Sequence, residues 1–520
     1  MPVGLSRRGR VLLTWSMPST QQSEPSSTTE STWQFALFFF LVLLILIQAP
    51  LRGSLWLDEG VSFWVTNGSL SDALHRSLNY QGMSPLYFVL LWYARQLIGQ
   101  SELALRLPSI LATAVSCGFL YAIARNLFGK QTAVLCITFF ICQDVTQKLA
   151  LSARPYAAAV MCTLWSIHAL LTWLRSGGRT SQFEYIFATA LAIYFQYLFA
   201  PILLIHLLFV VTLPPRDNAK IRKFLFVLLP TTAIVLSPGL YQLVLLAQKS
   251  NTIKFMMERE IGDLFLAVAP MNILAYLAIA LAFGLVYDRY RWRSADASES
   301  RIIPVLLVWI IFPAFWLFLY SRLTAGSVFV DRFYAWAAPA SALFLAWLIC
   351  HIEPQRARRN IFLVFVVMAG LRELQHQWHV EDWKAAVAIV NRSDSQNIPI
   401  FLYSGLIESE QISWYSQPEK AAYLRAPLAA YPSAKETLLL PGSFEEQSAQ
   451  QYVQQLLNPE QGQLDHFMLI ALHIKHEVRP GVWQPVDEYM TEYFGKQGYK
   501  AKKLEEKNLV RVIEFERSTT

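Results

Sequence analysis

The chain has 520 residues, of which 54% are hydrophobic and only 16% charged, against about 25% charged in an ordinary soluble domain. That composition excludes a wholly soluble protein, and the aromatic share of 14% fits rings placed at a bilayer interface. The formal net charge of +7 does not mark a nucleic-acid partner, because the basic residues lie in short connectors between apolar runs.

Residues 1–32, rich in Ser, Thr, Gln and Pro, read as a disordered cytoplasmic N-terminus. Residues 33–371 read as a transmembrane domain. A span takes about 20 apolar residues, which gives about eleven candidates: 34–51, 105–128, 132–151, 155–174, 183–197, 198–213, 224–246, 265–287, 302–320, 333–352 and 361–371. The fifth and sixth are short and divide one apolar run near Tyr197–Pro201. No small-residue cleavage site follows the first run, which therefore reads as a retained anchor.

Cytoplasmic loops carry an excess of Lys and Arg. With the N-terminus inside, the inward connectors hold Arg125/Lys130, Arg175/Arg179, Arg216/Lys220/Arg222/Lys223, Arg289/Arg291/Arg293/Arg301 and Arg356/Arg358/Arg359. The outward connectors are sparse or balanced, as in 249–263. The pattern requires that Pro85–Gly99, which carries Arg95, lie at the outer interface as a helix instead of crossing. The odd span count then puts residues 372–520 outside. That segment reads as a small α/β domain, with an amphipathic helix at 382–390 and strands at 398–403, 467–473 and 510–515. The expected setting is a multi-pass plasma (inner) membrane with an extracytoplasmic site.

The first outer loop, Arg52 to Arg106, carries the most chemistry. It opens with Ser54-Leu-Trp-Leu-Asp58-Glu59-Gly60 and continues through Met83-Ser84-Pro85-Leu86-Tyr87-Phe88 to Glu102-Leu-Ala-Leu-Arg106-Leu-Pro108-Ser109. A carboxylate pair at a membrane surface can supply a general base or hold a divalent cation. It also fits a solvated helix N-terminus, where acidic side chains favour the dipole. Arg106, Arg154 and Arg332 each lie at an outer span end, suited either to a donor phosphate or to snorkelling toward headgroups. Asp144 falls inside the third candidate span, and an intramembrane carboxylate reads as functional unless a neighbour such as Gln147 or Lys148 pairs with it. Tyr87, Trp92 and Tyr93 form an aromatic face on the interfacial helix. The five cysteines lie in apolar segments without metal-ligand spacing.

These motifs resemble the GT-C superfamily of polyprenyl-phosphate-sugar-dependent glycosyltransferases, in the bacterial branch related to protein O-mannosyltransferases and aminoarabinose transferases. The matching elements are Asp58-Glu59, Pro85-Leu86-Tyr87-Phe88, Ser101-Glu102 with Arg106-Leu107-Pro108-Ser109, Ala153-Arg154-Pro155-Tyr156-Ala157, and Asp331-Arg332-Phe333-Tyr334 with Pro339. The resemblance is good over about 34–210 and loose beyond. It implies an enzyme that takes a sugar from a polyprenyl-phosphate donor to an acceptor glycan, lipid or protein by inverting displacement. Asp58 would be the base, with Glu59 supporting it or facing a metal. Arg106, Arg154 and Arg332 would hold the donor phosphate, and Pro85, Tyr87, Glu102, Asp144 and Tyr156 would line the substrate. Ser152 and Gln196 stand where relatives carry an acid and a histidine, so a divalent metal has little support. A lipid-linked-sugar transporter or flippase and a non-catalytic scaffold are the alternatives, although no internal repeat of the transporter kind is present.

Overall fold

The computed structural model describes residues 53–518 except 82–84, 214–216, 243, 245–259, 269–273, 276, 280, 283–290, 298, 325–327, 376–380, 394–397, 443, 445, 459–463 and 480–481. The expected N-terminal lead, the first span and Met83-Ser84 lie outside the described residues.

Two short helices, α1 (Leu57–Val65) and α2 (Leu70–Arg76), begin the described chain. Ser69 caps α2, accepting from the Asp72 amide at 3.1 Å while Asp72 accepts from the Ser69 amide at 2.8 Å, a reciprocal cap that fixes where the helix starts. Next comes α3 (Pro85–Ile98), which at 14 residues is too short to span. Its Arg95 points inward, donating to Phe63 O at 2.9 Å and Thr66 Oγ1 at 2.8 Å and lying over the Phe63 ring. The charge that argues against a crossing thus pins α3 to α1. The expected aromatic face does not form on α3: Tyr87 is buried, Trp92 bonds Gly68 O, and Tyr93 is half exposed.

The bundle follows. Among the described residues, α4 (Glu102–Phe128), α7 (Tyr156–Ser176), α10 (Asn218–Gln242), α12 (Glu299–Leu323) and α13 (Asp331–Cys350) are long and apolar enough to cross a membrane. The pair α5 (Lys130–Ile141) and α6 (Asp144–Ala150) adds a sixth if it is one span, bent by 70°. This count does not establish eleven spans. Two of the missing candidates are shorter helices, α8 (Arg179–Phe195) and α9 (Ile202–Thr212), the latter preceded by a 3₁₀ turn at Tyr197–Phe199, where the sequence placed a break. Others include α11 (Ile261–Val268), only partly described, and α14 (Gln355–Gln375). The bundle core is built by α4 against α5 and α7, α7 against α8, and α5 against α13. At the α5–α6 break, buried Gln143 donates to Ala338 O at 2.9 Å, so a polar side chain satisfies backbone where the helix is interrupted.

The C-terminal domain begins with α15 (Trp383–Arg392), capped by the Asp382 carboxylate. Its strands are β1 (Ile400–Leu402), β2 (Thr437–Leu439), β3 (His466–Leu472), β4 (Lys475–Arg479), β5 (Val482–Pro485), β6 (Tyr499–Lys507) and β7 (Val510–Arg517). The main sheet runs β2-β1-β3-β7-β6, parallel through its first three strands and antiparallel beyond. Being covered on both faces, β3 reads as an unbroken apolar run. Phe401, Phe467, Phe494 and Phe515 form its core. The three expected strands and the helix are present, while β6 and the β4–β5 hairpin carry no comparable apolar signal and β2 is only three residues long.

This domain packs on α1 through the turn Ala426–Leu428. A Cβ at Gly60 would stand 2.9 Å from Ala426 O and 3.0 Å from Pro427 Cα. Overpacking costs about 1–3 kcal/mol, more than the roughly 0.5–1 kcal/mol Ala gains over Gly inside a helix. Gly60→Ala is therefore expected to lower the thermal unfolding midpoint of the purified protein; an unchanged or higher midpoint would show that the domain does not press on α1.

Candidate active site

The site starts from helical geometry. Adjacent helical residues point about 100° apart, so Asp58 and Glu59 at the start of α1 cannot share an environment. Glu59 is fully buried. It takes the Arg106 fork through Nε (2.9 Å to Oε1) and Nη2 (2.6 Å to Oε2), the Ala153 amide at 2.9 Å and the Trp56 amide at 3.3 Å. Arg106, equally buried, also donates to Gly53 O at 3.0 Å and Ser54 O at 2.9 Å. These two residues were expected at the catalytic centre and the donor phosphate. The structure instead places them beneath the site as a structural clamp, because paired, desolvated groups are the ones a helix start can bury.

Asp58 faces the other way. Its Oδ2 lies 3.0 Å from Arg332 Nη1 and 3.9 Å from Arg154 Nη2. Burial pushes the carboxyl upward, but the two guanidinium groups outweigh it and hold the pKa below the usual aspartate value. The turn carrying Arg154 is fixed by the Ala153 bond to Glu59 and by Ser109 Oγ donating to Ser152 O at 2.6 Å. Arg332 lies among three rings, 5.7 Å from Trp56, 5.9 Å from Tyr156 and 5.4 Å from Phe333.

Beside this cluster is a cavity of about 280 Å³, whose walls include Trp56, Lys148, Ser152, Tyr156, Arg332 and Glu381. Lys148 pairs with Asp331 at 3.1 Å across its margin, both side chains well exposed. Of the expected substrate-lining residues, only Tyr156 reaches the cavity. Pro85 starts α3, and Tyr87 is buried on it. Glu102 accepts from Lys384 Nζ at 2.8 Å and Tyr431 Oη at 3.3 Å, which ties α4 to the C-terminal domain. Asp144 opens α6 after the bend, where its charge suits the helix N-terminus; its helix reaches the cavity through Val145, Lys148 and Leu149. Among the described residues, no three His, Cys, Asp or Glu side chains group to hold a metal ion. The neighbours of Asp58 are cations, a poor fit to a metal site.

Two polar or aromatic cavity residues, Trp56 and Glu381, had no assigned role in the sequence, and Lys148 was read only as a possible partner of Asp144. Trp56 stands two positions before Asp58, the one signal for it. Glu381 comes from the C-terminal domain and accepts the Leu57 amide at 2.7 Å and Trp383 Nε1 at 2.9 Å. Burial raises its carboxyl above the usual glutamate value, helped by the nearby Asp58 and Glu59 charges and opposed by these two hydrogen bonds.

A helical bundle with a broken span, an acidic loop helix and a small α/β domain defines the class: a polytopic, largely helical membrane protein with a small C-terminal sheet domain. Residues 83–241, less than half of the chain, match the family model described as dolichyl-phosphate-mannose-protein mannosyltransferase. The fold is similar to that of ArnT from Cupriavidus metallidurans in the apo state, at a TM-score of 0.54 and 11% identity over 94% of this chain and 98% of that one. The structure of ArnT from the same organism bound to undecaprenyl phosphate gives 0.53 and 12% over 95% and 99%. At these identities the likeness is one of fold. No curated protein matches the sequence.

The clamp reading is testable. Removing one partner of a buried pair costs about 3–5 kcal/mol, so Arg106→Met and Glu59→Gln should each unfold far more easily than wild type. The double variant should lose much less than the sum of the two, measured by thermal or denaturant unfolding. Additive losses would mean that the pair is not coupled.

Proposed function

We propose that this protein transfers a sugar from a polyprenyl-phosphate donor to an extracytoplasmic acceptor hydroxyl or amine, with Asp58 as general base. The observation that carries this reading is the Asp58 carboxylate held against Arg154 and against Arg332, which itself lines a cavity that also offers Lys148. The undecaprenyl phosphate bound to the structurally similar ArnT supports a lipid-phosphate donor. The basic connectors support an outward-facing site.

In this mechanism the donor phosphate takes over the cations now paired with carboxylates. The Lys148–Asp331 pair is exposed and such pairs are worth about 0–1 kcal/mol, so it opens readily and frees Lys148. Arg332 and Arg154 stabilise the negative charge that grows on the prenyl phosphate as the anomeric carbon–oxygen bond breaks. The acceptor oxygen or nitrogen forms the new bond from the opposite face, its proton passes to Asp58, and the configuration inverts. An aspartate shared by two guanidinium groups is a weak base. Drawing their charge toward the phosphate raises its basicity once the donor is in place, so the order is donor first, then proton transfer.

General-base catalysis contributes about 10²–10⁴-fold. Asp58→Asn should therefore lose at least about a hundredfold in transfer while its unfolding midpoint stays close to wild type; a folded variant with full transfer would refute the role. A second outcome concerns pH. The ionised form of Asp58 is the active one, so kcat/KM falls as pH drops through its pKa, and the paired arginines put that limb below the ordinary aspartate value of about 3.9. Arg332→Gln removes one cation, raises the pKa and moves the acid limb to higher pH. A limb that stays in place would uncouple Arg332 from the base.

A further inference from the structure

Glu381 is the one residue of the C-terminal domain among the described residues lining the cavity. It is held from several directions. Its backbone bridges Asn508, the next residue caps α15, and its Oε2 takes both the Leu57 amide and the Trp383 indole. Its other oxygen, Oε1, has no partner among the described residues. A carboxylate fixed through one oxygen, on a residue that lines the cavity, offers its other oxygen as a hydrogen-bond acceptor there.

The rest of the cavity indicates the donor of that bond. Arg332 and Lys148 mark where a phosphate binds. Trp56 contributes an indole, with the Arg332 guanidinium 5.7 Å from its ring. Pockets for small molecules run to roughly 300–1,000 Å³; a cavity of about 280 Å³ matches one sugar ring, not a chain of them. A monosaccharide offers hydroxyl donors at its edge and C–H groups on its face, complementary to a carboxylate beside an aromatic ring.

Building on the glycosyltransferase reading above, we propose that Glu381 and Trp56 form the sugar-recognition wall. Glu381 Oε1 accepts a hydrogen bond from a hydroxyl of the transferred monosaccharide, and the Trp56 indole covers an apolar face of its ring. The C-terminal domain thereby reads the donor sugar.

The full chain in lipid nanodiscs would be titrated with undecaprenyl phosphate and with undecaprenyl phosphate carrying glucose, mannose or arabinose. Glu381→Gln keeps an oxygen for the Leu57 and Trp383 bonds but replaces the available acceptor with an NH₂. Hydrogen bonds to charged groups are worth about a tenfold to hundredfold change in affinity. The variant should therefore bind the preferred glycosylated lipid at least about tenfold more weakly and the bare lipid within about twofold of wild type. Trp56→Leu should show the same selectivity. Equal weakening of both lipids would reduce Glu381 to a support for α1, and an unchanged preference for the glycosylated lipid would remove it from recognition; either result overturns the proposal while leaving the transferase reading intact. Wild-type protein that binds none of these lipids would overturn both.

Discussion

The buried pair of Glu59 and Arg106 sets the geometry on which the site depends. As a source of stability such a pair is weak, because desolvation offsets most of the attraction. Its effect here is directional. One carboxylate meets a guanidinium fork from α4, an amide from the turn before α7 and an amide at the start of α1. Those contacts leave α1 one rotational setting, and the residue one position earlier then points at Arg332 and Arg154. Two neighbouring acids with the same side-chain chemistry have different tasks because the helix turns between them.

The same reasoning explains what the sequence disclosed. The order of Asp58, Arg154, Tyr156 and Arg332 along the chain, each at the same end of its span, was legible because topology alone brings such residues to one level. Arg106 obeyed the same rule and was misplaced by it. Level does not report helix phase, and only packing decides whether an arginine at a span end faces a cavity or a buried carboxylate. Asp144 shows a related limit. The apolar run reads as continuous, yet the chain bends by 70° there, turning a residue apparently deep in a span into the first residue of a new helix. Glu381 was beyond reach, since it meets Leu57 across 324 positions and belongs to a segment whose local pattern announces only a capped amphipathic helix.

The C-terminal domain is part of the site instead of an appendage to it. A helix start leaves backbone amides without partners, and near α1 two amides are met from the distal domain. Tyr431 Oη accepts the Leu55 amide at 2.7 Å and Glu381 accepts the Leu57 amide at 2.7 Å; in return Ser54 Oγ accepts the Lys384 amide at the start of α15 at 3.1 Å. Each bond is worth only about 0.5–1.5 kcal/mol net, but an unmet buried amide costs about 1–3 kcal/mol. Order in the acidic loop and docking of the domain therefore support one another, and Gly60 provides the close approach that allows both.

At and beside the cavity the electrostatics separate two carboxyl groups that composition alone would treat alike. Asp58 is held down by Arg154 and Arg332, whereas burial among other acids pushes Glu381 up. Active sites divide acid–base tasks by setting such pairs apart. Under the proposed mechanism, the residue that has to be ionised to receive a proton is the one beside the cations. Glu381 sits farther from compensating charge and is tied by neutral donors, which suits a group that hydrogen-bonds substrate over one that takes its proton. The cations that stabilise Asp58 are also those a phosphate would claim. Under the proposed mechanism the site then gains basicity as its donor arrives, and an acceptor that precedes the donor finds a carboxylate already engaged.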